Sequence, residues 1–320
     1  MDKNKLSVGI DIGGTNTVFG FVDIDGNLIS EYSIPTFADQ EYPQFFERLI
    51  NEIKIKFTPL ANYYSLAGIG IGAPNANYYK GTVEQPPNLN WGFVNVVEIM
   101  KSHFNLPIAI TNDANAAAIG EMLFGAAKGM KNFIVITLGT GVGSGIVVDG
   151  KMVYGNDGFA GEIGHTTAIP DGRLCGCGKK GCLETYLSAS GFKRTAFELL
   201  VNFNKKSNLT KYTFEDLSPK IIFEEALKND SVAKETFEES AKILGRVLAD
   251  SVAYTSPEAI IIFGGVAKSG DFLFLPLKKY FEENLLNIFK NKVKILPSGL
   301  SDKNIAVLGA AALIWNEINK

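Results

Sequence analysis

Three cysteines and a histidine crowd the middle of the chain. His165, Cys175, Cys177 and Cys182 fall within 18 residues, and the only other histidine is His103. Three thiolates and one imidazole suit tetrahedral Zn²⁺. Gly176, Gly178 and Gly181 permit the tight loop that wraps a metal. The spacing excludes a redox Cys-x-x-Cys. Reactive free cysteines are the alternative, and the clustering fits a metal site better. Four protein ligands fill a tetrahedron, so the expected site is closed and structural. The loop's remaining task is to place Glu162, the outer face of His165 and Glu184 around a polyol. Taken alone, the two glutamates could be ordinary surface acids.

Two glycine-rich turns suggest anion binding. Asp11-Ile12-Gly13-Gly14-Thr15-Asn16-Thr17 sets an acid at a strand end, then two glycines that let the backbone approach a phosphate. Thr15 and Thr17 add hydroxyl donors. Asp11 would repel phosphate, so its useful role is to hold Mg²⁺ or its waters. The second turn runs from Leu138 through Gly139, Thr140 and Gly141 to Gly145. Neither turn is a P-loop, because no Gly-Lys-Ser/Thr follows. Neither is a dinucleotide fingerprint, because a strand and not a helix comes next. With Gly264-Gly265 after a buried strand, they predict a nucleotide site between two lobes.

A third feature is an acid at a helix start. Asn112 or Asp113 is the expected N-cap of an Ala-rich helix, and capping alone would account for both residues. Asp113 also lies at the carboxyl end of a strand, where open α/β sheets bind ligands. The helix N-terminus is expected to keep it ionised. It could then orient a sugar hydroxyl and take its proton during phosphoryl transfer, with Asn112 on a neighbouring hydroxyl.

The elements that must position these groups repeat. Residues 7–34 read as strand, Gly/Thr turn, strand, Asp-Gly hairpin and strand, and residues 131–154 follow the same plan. Two related half-molecules are the simplest explanation. Helices are expected at 41–57, 94–103, 112–129 and 231–255, and strands at 66–72, 107–111 and 259–263. This alternation implies α/β architecture with largely parallel, covered sheets. Residues 202–220 read as a polar, exposed and partly helical insert, and the apolar helix at 305–319 packs. The 320 residues are 46% hydrophobic, which favours two domains. A net charge of −3 gives little support to nucleic-acid binding. No signal peptide or membrane span is expected, so the reading is a soluble cytoplasmic protein.

Taken together these residues resemble the ROK family of sugar kinases and repressors. The family's phosphate motif is similar to residues 11–17, and its sugar motif to residues 112–116 with Gly120-Glu121. Its zinc segment is similar to residues 162–184, with every ligand position filled. Gly264-Gly265 resembles the family's late glycine pair in the adenosine region. The resemblance spans about residues 7–313 and implies an actin-like, ribonuclease-H-related fold of two lobes. The smaller lobe would be residues 1–115 completed by the C-terminal helix at 305–320, and the larger 116–304. It implies ATP with Mg²⁺, Asp113 as catalytic base, and Asn112, Asp113, Glu162, His165 and Glu184 on the sugar. His165 would touch the sugar while its other nitrogen binds zinc. Where many members have Gly-Pro-Gly, this chain has Ala73-Pro74-Asn75, which brings Asn75 to the sugar. Asn88 lies in Pro87-Asn88-Leu89-Asn90-Trp91, a stretch similar to glucokinase-like members. The resemblance therefore implies phosphorylation of the 6-hydroxyl of a hexose, glucose first, by a homodimer. N-acetylglucosamine, N-acetylmannosamine, fructose, mannose and allose are the rival sugars. The family's repressors carry an extra N-terminal helix-turn-helix, for which the early position of the first turn is expected to leave no room.

Overall fold

The computed structural model describes residues 4–202, 206–300 and 304–318. The first three residues, residues 203–205 near the start of the polar insert, residues 301–303 and the end of the helix expected at 305–320 lie outside them.

Two five-stranded sheets share one plan. The first has strands β1 (Lys5–Ile12), β2 (Asn16–Asp23), β3 (Leu28–Pro35), β4 (Ser65–Gly72) and β8 (Ile108–Thr111), in the order β3-β2-β1-β4-β8. The second has β9 (Phe133–Leu138), β10 (Val142–Val148), β11 (Lys151–Met152), β12 (Ala259–Gly264) and β13 (Lys294–Pro297), in the order β11-β10-β9-β12-β13. In each, an antiparallel meander runs to one side of the first strand and parallel strands lie on the other. The expected duplication is thus present at the level of topology. A small sheet of β5 (Ala76–Asn77), β6 (Thr82–Glu84) and β7 (Phe93–Asn95) is inserted in the first half.

The helices are α1 (Tyr42–Phe57), α2 (Val96–Lys101), α3 (Asp113–Phe124), α4 (Glu184–Leu187), α5 (Ala189–Asn202), α6 (Pro219–Leu227), α7 (Ser231–Thr255), α8 (Asp271–Asn284) and α9 (Ile305–Ile318). Alternation sends the side chains of each central strand to two layers. Leu6, Val8, Ile10 and Ile12 of β1 cluster with Phe45, Phe46, Leu49 and Ile53 of α1. On β9, Ile134, Ile136 and Leu138 join the core built on α5, α7 and α8, while Phe133 and Val135 face α3 and α9.

Between the sheets α3 and α9 pack on one another with almost no side-chain volume. A Cβ on Gly309 would lie 2.4 Å from Ala116 O, and one on Gly120 would lie 3.0 Å from Gly309 Cα. The sheets admit the helices in the same way. A Cβ on Gly9 would lie 2.1 Å from Val307 O, and one on Gly145 2.6 Å from Ala118 Cβ. Helices buried on every face are apolar all round, as the Ala-rich runs of α3 and α9 are.

Several elements differ from expectation. The helix expected at 94–103 begins only after β7, because Asn95 caps it through Glu98 N–H. The helix expected at 112–129 stops at Phe124, where Gly125 closes it. The polar insert is not simply exposed. Leu209 and Leu217 are buried in the larger core, and Asp230 ties the insert down through Ser207 and Asn208. Asp230 also caps α7 through Val232 and Ala233 N–H, each at 3.0 Å.

The glycine contacts yield a stability prediction. A Cβ on Gly70 would stand 1.8 Å from Ala310 O, and backbone on both sides leaves no flexible atom to give way. Gly70→Ala is expected to cost about 3 kcal/mol or more, beyond ordinary overpacking. Urea unfolding measures it, and an unchanged midpoint would contradict the packing described here.

Candidate active site

Strand ends build the site. Asp11 of β1 pairs in register with Gly72 of β4, and Gly72 with Thr111 of β8, so the three carboxyl ends are level. In the other sheet Leu138 of β9 pairs with Gly264 of β12. The level ends face a cleft of about 1040 Å³. It brings together Asp11, Asn75, Asn88, Asn112, Asp113, Gly139, Thr140, Gly141, Glu162, His165 and Glu184. Gly264 lines a second cavity of about 310 Å³, which shares Phe263 and Ala306 with the first. Gly265 has open space beside it.

Asn112 is the cap of α3, its side chain accepting Asn115 N–H at 2.7 Å. Asp113 opens the helix and accepts Ala114 N–H at 2.8 Å. Its carboxylate is open to water at the cleft but surrounded by protein on most other sides. Burial pushes its pKa up, and the backbone N–H groups oppose this only in part. Desolvation is the larger influence on this carboxyl, and the helix-start N–H groups act against it. Asp11, beside it, is pushed up to about 7 by burial and by the charge of Asp113. Burial likewise raises Glu162, with His165 opposing and Asp113 and Glu184 adding to the shift.

The first glycine turn is held by its surroundings. Gly13 N–H donates to Asn16 O at 3.2 Å, and a Cβ on Gly14 would lie 3.1 Å from Asn88 Cβ. Thr15 O accepts Thr36 N–H, and Thr15 and Asn16 are exposed. Thr17, expected to offer a hydroxyl to phosphate, is instead fully buried with its Oγ1 2.9 Å from Thr36 Oγ1. It braces the turn and, being fully buried, does not line the cleft. In the second turn Gly139 N–H donates to Gly141 O at 3.0 Å.

Asn75 explains the departure from Gly-Pro-Gly. Its φ is 51°, a left-handed conformation that Asn tolerates better than most residues. Its amide hydrogens go to Glu84 O and Gln85 O, at 3.2 and 3.1 Å, so only its oxygen is left for a ligand.

The His/Cys cluster passes a geometric test for zinc. One ligand atom from each of His165, Cys175, Cys177 and Cys182 lies within 4.8 Å of the others. Cys175 Sγ is 3.6 Å from His165 Nδ1, and Cys177 Sγ is 3.7 Å from Cys182 Sγ. Tetrahedral Zn–S bonds of about 2.3 Å would put two sulfurs about 3.8 Å apart. Nδ1 faces the thiols, which leaves Nε2 as the outer nitrogen.

Other residues hold the walls and were not singled out from the sequence. Arg173 is buried and bonds Thr185 O, Gly191 O, Thr195 and Glu198, bracing the segment that follows the cluster. Asn77 is buried and donates to Asp157 O at 2.8 Å, pinning the loop that leads to Glu162. Ser144 accepts Ile163 N–H at 3.1 Å and donates to Gly161 O. The only sequence signal for that loop was the glycine series Gly155, Gly158 and Gly161, all at positive φ.

A model of the ROK family matches residues 7–317. The glucokinase of Halalkalibacterium halodurans is 37% identical over 284 residues, spanning 88% of this chain and 86% of that protein. A crystal structure of a ROK family glucokinase from Streptomyces griseus, in complex with glucose and AMPPNP, superposes with a TM-score of 0.79. It is 33% identical and covers 96% of this chain and 98% of its own. A ROK family transcriptional regulator, a homologue of the E. coli MLC protein, superposes with a TM-score of 0.87 at 26% identity. This chain spans 98% of its own length but 78% of that regulator.

Two expectations follow from the geometry. Purified protein should carry close to one zinc per chain, and strong chelation should lower its melting temperature; a metal-free, equally stable protein contradicts a structural site. For Asp11, the usual value is 3.8 and the folded value about 7, so between them the native state holds more protons than the unfolded chain. Stability of the ligand-free protein should therefore fall as pH rises through this window. Asp11→Asn should flatten the melting curve between about pH 4 and pH 7 and raise the melting temperature at the upper end of that window. Scanning fluorimetry across pH checks this, and an unchanged slope counts against it.

Proposed function

This chain belongs to the ROK family, and we propose that within it the protein is an ATP-dependent glucokinase. The reading has the γ-phosphoryl group of ATP pass to the 6-hydroxyl of glucose. The observation that carries it is the convergence, in one cleft, of Asp113, the Gly139–Gly141 turn and the sugar-facing side chains Glu162, His165 and Glu184. Relatives named as glucokinases, and one solved with glucose and AMPPNP, support the donor and the acceptor.

Each group then has a task. Asp113 accepts the proton of the attacking hydroxyl. Its raised pKa suits a base that must hold that proton as the new bond forms. Asn112, Glu162, Nε2 of His165 and Glu184 orient the other hydroxyls, with Asn75 and Asn88 at the rim. The turns at residues 13–16 and 139–141, with Gly264-Gly265, cradle the nucleotide. Asp11 is the group suited to Mg²⁺ or its waters; a bound ion would supply positive charge to the phosphates. Most of the acceleration comes from positioning and electrostatics.

We assign the lobes to residues 1–115 with the C-terminal helix, and to 116–304. Packing of α9 on β1, β4 and β8 supports this division. The family resemblance supports a cytoplasmic homodimer. Among the described residues, no helix is long and apolar enough to cross a membrane.

The test is a panel of kcat/KM values with ATP over glucose, mannose, fructose, N-acetylglucosamine and N-acetylmannosamine, with polyphosphate as a second donor. Glucose with ATP should rank first, and absence of turnover on every sugar removes the kinase reading. Asp113→Asn should cut kcat at least about a hundredfold. Glucose binding, followed by calorimetry, should survive in that variant, and near-normal turnover would sink the proposed base.

A further inference from the structure

We propose that Glu184 couples the sugar pocket to the nucleotide turn, so that a bound sugar sets nucleotide affinity. The inference rests on the kinase reading above. Glu184 Oε2 accepts Val142 N–H at 3.0 Å, and a Cβ on Gly141 would stand 2.6 Å from the same oxygen. The carboxylate therefore lies directly against the second glycine turn. The turn's other end is held by Ala189 N–H, which donates to Gly139 O at 2.9 Å. Both anchors belong to the short stretch that follows Cys182. Glu184 Oε1 points the other way and lies 3.7 Å from Cys175 Sγ, on the side of His165. The first turn is tied instead to Asn88 and Thr36.

One side chain thus meets two subsites. A glutamate has several rotatable bonds, and holding it in one rotamer costs conformational entropy. A sugar hydroxyl on Oε1 removes that freedom before the nucleotide arrives. The acceptor for Val142 N–H is then fixed, and the turn is already in its binding form. Linkage requires the nucleotide to tighten sugar binding by the same factor.

The experiment measures binding of AMPPNP with Mg²⁺ to the zinc-loaded protein by calorimetry, with and without saturating glucose. In the unmodified protein, glucose should tighten AMPPNP about fivefold or more. Glu184→Ala should weaken AMPPNP about tenfold in the absence of sugar, and glucose should then leave its affinity unchanged. Glu47→Ala, which removes an exposed carboxylate on α1 away from the cleft, should bind AMPPNP without sugar within about twofold of the unmodified protein. Equal sugar-free affinity in Glu184→Ala overturns the coupling while the kinase stands. An equal loss in Glu47→Ala overturns it too. Failure of the unmodified protein to bind AMPPNP removes the kinase reading and the coupling together. If Glu184→Ala loses zinc or fails to fold, Glu184→Asp, which keeps the charge but is one methylene too short to reach Val142, gives the same comparison.

Discussion

Backbone-to-backbone contact along α3 and α9 sets how far apart the two sheets stand, and through that the width of the cleft. Where Gly9, Gly70, Gly143 and Gly145 face these helices there is no room for a Cβ. The helices answer with alanine and glycine. Helix-on-sheet packing with ordinary side chains would hold the layers farther apart. Asp113, at the first residue of α3, would then lose its place beside Asp11 and its reach across to the second turn. The chemistry of the cleft is in this sense a consequence of missing side chains some way behind it.

The same closeness concentrates charge. Asp11, Asp113, Glu162 and Glu184 all line one cavity, and Arg194, which also lines it, is paired with Glu198. Burial first, and the nearby charge of Asp113 second, make Asp11 costly to ionise and push it up to about 7. The ligand-free molecule thus holds Asp11 and Asp113 in surroundings that disfavour their charged forms. The backbone and side-chain bonds of Asn77, Ser144 and Arg173 keep that arrangement in place.

Much of this was legible in the sequence, because period and punctuation carry it. The buried strands β9 and β12 are β-branched runs ended by glycine, and α7 is framed by Asp230 and Pro257. The duplication showed in two copies of one turn pattern. The Cys/His cluster was legible because rare residues at short spacing have few other uses. What escaped has physical reasons. The strand β13 is only four residues long, too short for a period to show. The insert around Leu209 and Leu217 looks polar because two apolar anchors in a long polar stretch do not raise its average. Thr17 reads as a donor in any glycine-rich turn, and only the three-dimensional position of Thr36 shows that its hydroxyl is spent. Asn77 matters through a residue 80 positions away, a distance that no local pattern reports. The pKa of Asp113 depends on enclosure, which a helix-cap argument does not contain.

The matching strand orders of the two sheets have a further meaning. Repetition of one half-molecule makes a cradle with approximate twofold symmetry, and a symmetric cradle cannot tell one end of a ligand from the other. Directionality must enter through what was not repeated. On one side this is the small sheet of β5, β6 and β7, which carries Asn77 and abuts Asn75. On the other it is the pinned segment from Glu162 to Glu184. These two unmatched insertions, one per half, are therefore where the two ends of the cleft become different, set on a frame whose strand orders match.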